Sequence, residues 1–344
     1  MFNTSISKIL SSISNMSHSS QSSLDVLKVF NTSTGKIYVN PSRKIEFLSV
    51  GDYGKENNIK ANFLGLTKEI QGVQHQSVDL SKKWVATIST QKGCGMYCQF
   101  CDCPKVGFNG NASLDDLIYQ IETILQNEEC KQTDRFNVHF ARMGEPTFNF
   151  DILPFTRYLL RYITKKYINA KTIHPVVSTM LPRFAPNILN FLRRWCAIKN
   201  KDYEGEAGLQ FSINSTDEQQ RREQFSSMSL SLNEISDLAK QLPKPIGRKY
   251  TLNFAVTKDT ILDALVLDRL FDKKKFIVKI TPIHQTRRAI KNGFNIDTLY
   301  DTYDVYKQFE QPLLDLGWDV IVFVPSKEED NDRITCGNAL IASM

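Results

Sequence analysis

Cys94, Cys98 and Cys101 lie in the run GCGMYCQFCDCPKVGFNGN, residues 93–111, at the spacing C-x3-C-x2-C. Three thiolates so spaced can hold three corners of one metal cluster. A structural zinc site wants four closed ligands, usually as two separated pairs. This chain has no second C-x2-C pair, and no His lies near in sequence. Three ligands on a [4Fe–4S] cluster leave one iron open to bind another molecule. The alternatives are a zinc site or unligated core thiols. Phe100 stands between two of the Cys, where an aromatic ring can keep water from a cluster.

The loop resembles that of the radical S-adenosylmethionine (SAM) enzymes. The resemblance implies that the open iron chelates the amino acid end of SAM, and that an electron from the cluster breaks the sulfonium. Cluster and SAM then carry the chemistry, and the protein positions them. The turn Gly107-Phe108-Asn109-Gly110-Asn111 narrows the resemblance to the RlmN/Cfr-type radical SAM RNA methyltransferases, which methylate an adenine ring carbon in ribosomal RNA and, in some members, transfer RNA.

Further residues follow that pattern in order. Met143-Gly144-Glu145-Pro146 follows an expected strand; Gly144 lets backbone approach a ligand, and the resemblance implies that Glu145 accepts from the SAM ammonium. Asn149 matches a similarly placed Asn. Ser178-Thr179 matches a Ser-Thr pair near SAM. Ser212-Ile213-Asn214 stands where the family reads Ser-Leu-His, and Pro282-Ile283-His284 where it reads Pro-aromatic-Asn. The expected SAM cleft is therefore Gly144, Glu145, Ser178, Ser212, Asn214 and His284. Cys336, in a Cys-Gly turn after the last strand, matches the family's methyl-carrying Cys. The mechanism so implied loads a methyl group on Cys336, makes it a carbon radical and adds it to the base; a second Cys then attacks Cys336 to release the product.

The chain departs from that pattern at two places. The second Cys of the family falls on Thr87, whose hydroxyl cannot form the releasing disulfide. The region of an upstream Glu reads Val73-Gln74-His75-Gln76-Ser77, without a carboxylate; His75 is a candidate base. Cys103 is a candidate substitute thiol, although a bystander role fits it as well, and Cys130 and Cys196 read as structural. Three readings follow: an RNA adenine methyltransferase; a radical SAM enzyme acting on another substrate or without methyl transfer; and a noncatalytic RNA-binding paralogue.

The elements that must position these residues alternate. Strands are expected at 84–90, 136–141, 172–179, 208–213, 250–256, 276–282 and 319–324. Helices are expected from Ser113, near 152–165, after Pro186, and near 232–242, 261–271 and 296–316. Such alternation implies parallel pairing with right-handed crossovers. Six units make an α/β fold, a partial (β/α)6 radical SAM barrel, with its site at the C-terminal strand ends. Residues 84–344 form this core. Residues 25–83 form a small N-terminal extension with strands at 36–39 and 60–64, too short for the larger helical domain usual in the family. Residues 1–24, Ser-rich and without Asp or Glu, read as a solvated tail.

Composition sets the bounds. The 344 residues are 41% hydrophobic, with no apolar run of about 18 residues to span a membrane. The Cys spacing suits metal binding in a reducing, cytoplasmic setting better than a disulfide framework. The net charge of +6 suits a polyanion. Basic pairs that could meet RNA phosphates are Lys82-Lys83, Lys165-Lys166, Arg193-Arg194, Arg221-Arg222, residues 273–275 and Arg287-Arg288. The expected partners are an RNA substrate and an electron donor such as flavodoxin or ferredoxin, with the protein a monomer.

Overall fold

The computed structural model describes residues 26–51, 58–68, 79–294 and 303–344. The Ser-rich tail, His75 with its neighbours, and the start of the helix expected at 296–316 lie outside the described residues. Seven parallel strands form the frame: β5 (Trp84–Ile88), β8 (Gln132–Phe140), β9 (Asn169–Thr179), β10 (Gly208–Ser212), β11 (Tyr250–Val256), β12 (Phe276–Pro282) and β13 (Val320–Phe323). Each was expected within a few residues, and the parallel α/β architecture is as the alternation requires.

Burial alternates along β5 and over the C-terminal parts of β8 to β11. Trp84, Ala86 and Ile88 on β5, like Phe136, Val138 and Phe140 on β8, are buried in one core with the helices. Residues between them, such as Thr87, His139, Gln210 and Asn253, are half-buried on the other face. His139 on β8 and Phe323 on β13 line one cavity, so the sheet curls its inner face around a common space. Among the described residues it is an eleven-stranded sheet with two different edges, not a closed ring.

At one edge β1 (Lys28–Asn31), β2 (Gly35–Asn40) and β3 (Ile45–Gly51) add an antiparallel meander, with β3 pairing against β5. The strand expected at 36–39 is β2; β1 and β3 were not anticipated. At the other edge β4 (Ile59–Lys60) pairs antiparallel with β13. The strand expected at 60–64 is therefore corrected: after Lys60 the chain turns through a 3-10 helix, Asn62–Leu64, whose last carbonyls are closed by Gly65 in the left-handed region.

The helices crossing between strands begin with α1 (Leu114–Asn127), where Ser113 and Asp116 cap each other's backbone as the sequence pattern requires. The helix expected at 152–165 is instead broken by a wide turn at Phe155–Leu159 before α2 (Leu160–Tyr167). Next come α3 (Ile188–Ala197), α4 (Glu218–Gln224) and α5 (Leu232–Lys240). The helix expected at 261–271 is only α6 (Ala264–Leu270), because the Asp263 carboxylate caps Leu265 N–H and fixes the start there. Last are α7 (Arg287–Lys291), α8 (Asp304–Asp315) and α9 (Lys327–Asn331). Among the described residues no helix is long and apolar enough to cross a membrane.

Candidate active site

The Cys loop is held closed by a small ladder that the sequence did not announce. Strands β6 (Gln91–Gly93) and β7 (Phe108–Asn111) pair antiparallel across it. Gly93 has φ +82°, and a Cβ there would lie 1.6 Å from the Gly107 carbonyl oxygen, so only glycine lets the two ends of the loop meet. Asn149 seals the base of the loop. Its Nδ2 donates to the carbonyls of Thr90 (2.8 Å) and Ala112 (2.7 Å), and its Oδ1 accepts from Asp151 N–H (3.1 Å). Those bonds occupy Asn149 with the protein itself.

Within the loop Cys94, Cys98 and Cys101 line the cavity enclosed by the curled sheet, about 280 Å³ in volume. Burial and the neighbouring Cys101 push the Cys94 thiol up to about 12. Burial, Cys101 and Cys94 push Cys98 well above the usual thiol value. A hydrogen bond with Cys103 lowers Cys101. Among the described residues no His, Cys, Asp and Glu side chains gather in threes tightly enough for a single ion. The three soft thiols all line the same cavity, and soft thiolates are the donors that iron–sulfur clusters take. Phe100 lines it too, edge-on to Phe225 (5.8 Å) and Phe294 (6.2 Å), in the shielding position expected of it.

Glu145 lies on the cavity at the end of β8 and is 4% exposed. Its Oε1 accepts from Thr147 N–H (3.1 Å) and Thr147 Oγ1 (2.8 Å), and its Oε2 from Met180 N–H (3.0 Å). Burial still raises its pKa, against those donors. The carboxylate thus caps its own turn while facing the cavity. Gly144 before it has φ +95°, and a Cβ would lie 2.4 Å from Gln91 Cβ. Gln91 in turn accepts from Glu145 N–H (3.0 Å) and donates to Asn111 (2.8 Å). Gly144→Ala is expected to destabilise the protein by about 1–3 kcal/mol, since strained backbone and clash coincide; thermal unfolding against wild type measures it.

Ser178, Ser212, Asn214 and His284 also line the cavity. Asn214 has φ +61° and is 1% exposed; its Oδ1 accepts from Ala255 N–H (3.2 Å) while its Nδ2 has no partner. Thr281 Oγ1, on the cavity as well, is likewise unpartnered. Two orphaned buried polar atoms on one wall fit a ligand that completes them. His284 Nδ1 lies 3.1 Å from Asp330 Oδ1, close enough to pair with it when the ring is protonated.

Cys336 lines the same cavity. It is exposed, but into the cavity, with Sγ 3.7 Å from the Ala141 carbonyl. Surrounding protein and Cys101 push its thiol up to about 11. The turn is clamped from both flanks. Arg142, 2% exposed, donates through Nε to Glu46 Oε1 (2.8 Å) and pairs with it again through Nη2; it also donates to the carbonyls of Thr335 (3.1 Å) and Arg333 (2.8 Å). Glu46 of β3, fully buried, accepts from Leu340 N–H (3.2 Å) and Ile341 N–H (2.7 Å). Asp330 holds Gln285 N–H (2.8 Å) and the Thr335 hydroxyl. Asp102 N–H donates to Gly337 O (2.7 Å), tying the turn to the Cys loop. Glu46, Arg142 and Asp330 were missed in the sequence; Glu46 and Arg142 are too far apart along the chain for spacing to reveal their pairing.

Other expectations divide. Cys103 is 2% exposed, with Sγ 3.4 Å from the Arg142 carbonyl, so it is packed beside the loop. Thr87 stands on β5 between Leu48 of β3 and His139 of β8. Arg221 is corrected as a phosphate contact: it is buried and its guanidinium holds the Ile213 carbonyl, Ser229 Oγ (2.9 Å) and the Leu230 carbonyl (3.1 Å), fixing the corner before Asn214. Lys273 and Lys275 cap the carbonyls of Leu316 (2.7 Å) and Leu242 (2.8 Å) at the far, N-terminal end of β12. Of the basic pairs, Arg287 and Arg288 follow the cavity end of β12; their backbone N–H groups bond Asp102 (3.2 and 2.9 Å).

The curled parallel sheet with its Cys loop and cavity at the C-terminal strand ends has the radical SAM fold. A solved radical SAM methyltransferase from Sphaerobacter thermophilus matches with TM-score 0.59 over 92% of this chain and 82% of its own, at 16% identity. The sequence is similar to RlmN-type RNA methyltransferases, in agreement with the resemblance read from its motifs. One from Petrotoga mobilis, a probable dual-specificity RNA methyltransferase RlmN, is 26% identical over 207 residues, 58% of this chain and 54% of that protein. Another with the same description from Pseudothermotoga lettingae is 27% identical over 205 residues, 58% and 55% of the two chains. The chain thus spans about half the length of these curated relatives. No family model matches it.

Proposed function

We propose that this protein is a radical SAM enzyme that methylates an adenine carbon of ribosomal or transfer RNA, with Cys336 carrying the methyl group. The observation that carries this reading is that Cys94, Cys98, Cys101, Glu145 and Cys336 open onto one enclosed cavity. Cys94, Cys98 and Cys101 would hold a [4Fe–4S] cluster and leave one iron open. When bound, the cluster and SAM supply the electron and the 5′-deoxyadenosyl radical.

The chain's own residues do the rest. Gly144 and Glu145 receive the amino end of SAM, and the orphaned Asn214 Nδ2 and Thr281 Oγ1 meet polar atoms of the bound ligand. Ser178, Ser212 and His284 complete that cleft. The Arg142–Glu46 clamp holds the Cys336 thiol towards the cavity. Phe100 and its aromatic partners exclude water. The base must leave its stack to enter, and Arg287, in the pair that follows the cavity end of β12, is offered to phosphates. An electron donor of the flavodoxin or ferredoxin kind, a monomeric state and a cytoplasmic setting accompany this reading.

The deciding experiment is mass spectrometry of the Cys336 peptide after incubation of anaerobically reconstituted protein with SAM. A gain of one methyl group on Cys336 is expected. An unmodified Cys336 in protein that cleaves SAM would overturn the methyl-carrier role. Thr87 supports a second reading, radical SAM chemistry without thiol-mediated release, on the same cluster and SAM site. Protein that binds RNA but neither loads a methyl group nor cleaves SAM would instead be a noncatalytic RNA-binding paralogue.

A further inference from the structure

The outer helices carry a segregation of charge that the cavity does not use. Between Asp151 and Asp202 the chain has no Asp or Glu, although it has 37 in all, and ten Lys and Arg fall in that stretch. In the fold α2 joins β8 to β9 and α3 joins β9 to β10, and those three strands are neighbours in the sheet. The carboxylate-free stretch is therefore one continuous part of the outer layer.

α2 and the wide turn before it are sorted turn by turn. Leu159, Leu160, Ile163 and Thr164 are buried, the three apolar residues in the main core. The positions between them, Arg157-Tyr158, Arg161-Tyr162 and Lys165-Lys166, are exposed. That i, i+4 period sets the three pairs on one face. A solvated helix face gains from mixing both signs at this spacing, and like charges there cost stability. Here all four charges are positive. Two reach carboxylates on other elements: Arg157 Nε meets Asp202 (2.8 Å) and Lys166 Nζ meets Glu122 (3.3 Å). Arg161 lies over the Tyr203 ring (4.2 Å); among the described residues neither it nor Lys165 has a carboxylate within ion-pair distance. Tyr158 and Tyr162 are 40% and 55% exposed.

The chemistry of this face selects its partner. Cations interleaved with exposed rings suit an RNA strand: phosphates meet the cations and unstacked bases lie on the rings. An anionic membrane fits less well, because the apolar side of α2 is already turned into the core and leaves only two tyrosines to insert. The connection that begins at Glu145, on the cavity, runs directly into this face, so a strand leaving the mouth has a path along it.

We infer that Arg157, Tyr158, Arg161, Tyr162, Lys165 and Lys166 form a second RNA-contact surface, outside the cavity, that holds a single-stranded stretch flanking the modified nucleotide. This inference rests on the RNA reading above and deepens it by assigning where the rest of the substrate lies.

The test measures binding of full-length protein to two fluorescein-labelled RNAs by anisotropy: a hairpin with a single-stranded loop and tail, and a blunt duplex. Arg161→Gln with Lys165→Gln is expected to weaken both about tenfold and to lower the slope of log affinity against log salt by about two, one for each cation removed. Lys240→Gln with Arg269→Gln removes the same charge from α5 and α6 and is expected to keep affinity within about twofold. Tyr158→Ala with Tyr162→Ala is expected to weaken hairpin binding about tenfold and duplex binding less than about twofold, because a duplex offers no unstacked base. Tyr158→Phe with Tyr162→Phe keeps both rings and is expected to bind as wild type does; thermal unfolding checks that each variant is folded. Absent hairpin binding by wild type, equal loss in the α5–α6 control, or unchanged binding by the α2 variants would each overturn the surface. So would capture of wild type by phosphatidylserine vesicles in place of the hairpin, which would make the face a membrane contact. Methyl loading of Cys336 is read without RNA, so failure of the enzyme reading and failure of this surface give different results.

Discussion

Replacing Cys94, Cys98 or Cys101 singly with Ala is expected to remove iron almost completely from anaerobically reconstituted protein, from about four irons per chain to near none. The reason is geometric. The three thiols line one cavity, and the loop that carries them is fixed at both ends by the β6–β7 ladder and by Asn149. Two remaining thiolates cannot hold three corners. Cys103→Ala is expected to keep its iron, because Cys103 is packed beneath the loop with its Sγ towards the Arg142 carbonyl. Cys130→Ala, at the approach to β8, is expected to keep it too. Iron and sulfide assays with the broad visible absorption near about 400 nm of such clusters make the measurement. Loss of iron in Cys103→Ala with retention in Cys98→Ala would overturn the ligand assignment.

How much of this was legible in the sequence depended on how local each signal was. The seven parallel strands stood out because each is a short run of β-branched and aromatic residues between helical stretches. Ser113 with Asp116 announced a helix start within four residues. The three Cys, Gly144-Glu145 and the Cys336 turn each carry their pattern in a few neighbouring positions. The β1–β3 meander carried weak alternation, and its role comes from pairing with β5, far along the chain. The row of Ser212, Asn253 and Lys279 across β10, β11 and β12 is invisible for another reason. Each is one half-buried position in a strand whose other face is core, and only parallel register sets them side by side. Arg221 misled because a pair of Arg in a helical stretch reads as solvent-facing, whereas its guanidinium is turned inward onto three oxygen acceptors.

Glu46 shows the same limit and the largest consequence for the site. It lies on β3, and its partner Arg142 follows β8, 96 residues away. Both charges are almost fully buried, at 0% and 2% exposure. Removing one partner of such a pair leaves the other charge without compensation, at a cost of about 3–5 kcal/mol. Here the pair also binds both flanks of the Cys336 turn: Arg142 through the Thr335 and Arg333 carbonyls, Glu46 through Leu340 and Ile341 N–H. Glu46→Ala and Arg142→Ala are therefore expected to lower the unfolding free energy, measured by denaturant titration, by about 3–5 kcal/mol and, in addition, to free the turn. Arg142→Lys and Glu46→Gln separate the two effects. Lys keeps the charge but cannot span Glu46 and two carbonyls at once; Gln keeps an acceptor but loses the charge. In both, Cys336 is expected to react several-fold faster with iodoacetamide, read peptide by peptide by mass spectrometry. Cys196, fully buried in α3, is the internal control. Cys196 is expected to stay unreactive, because the core remains folded. Equal gains at Cys336 and Cys196 would show that the pair holds the fold as a whole. No gain at Cys336 would show that the turn is held elsewhere, through Asp330 and the Cys loop.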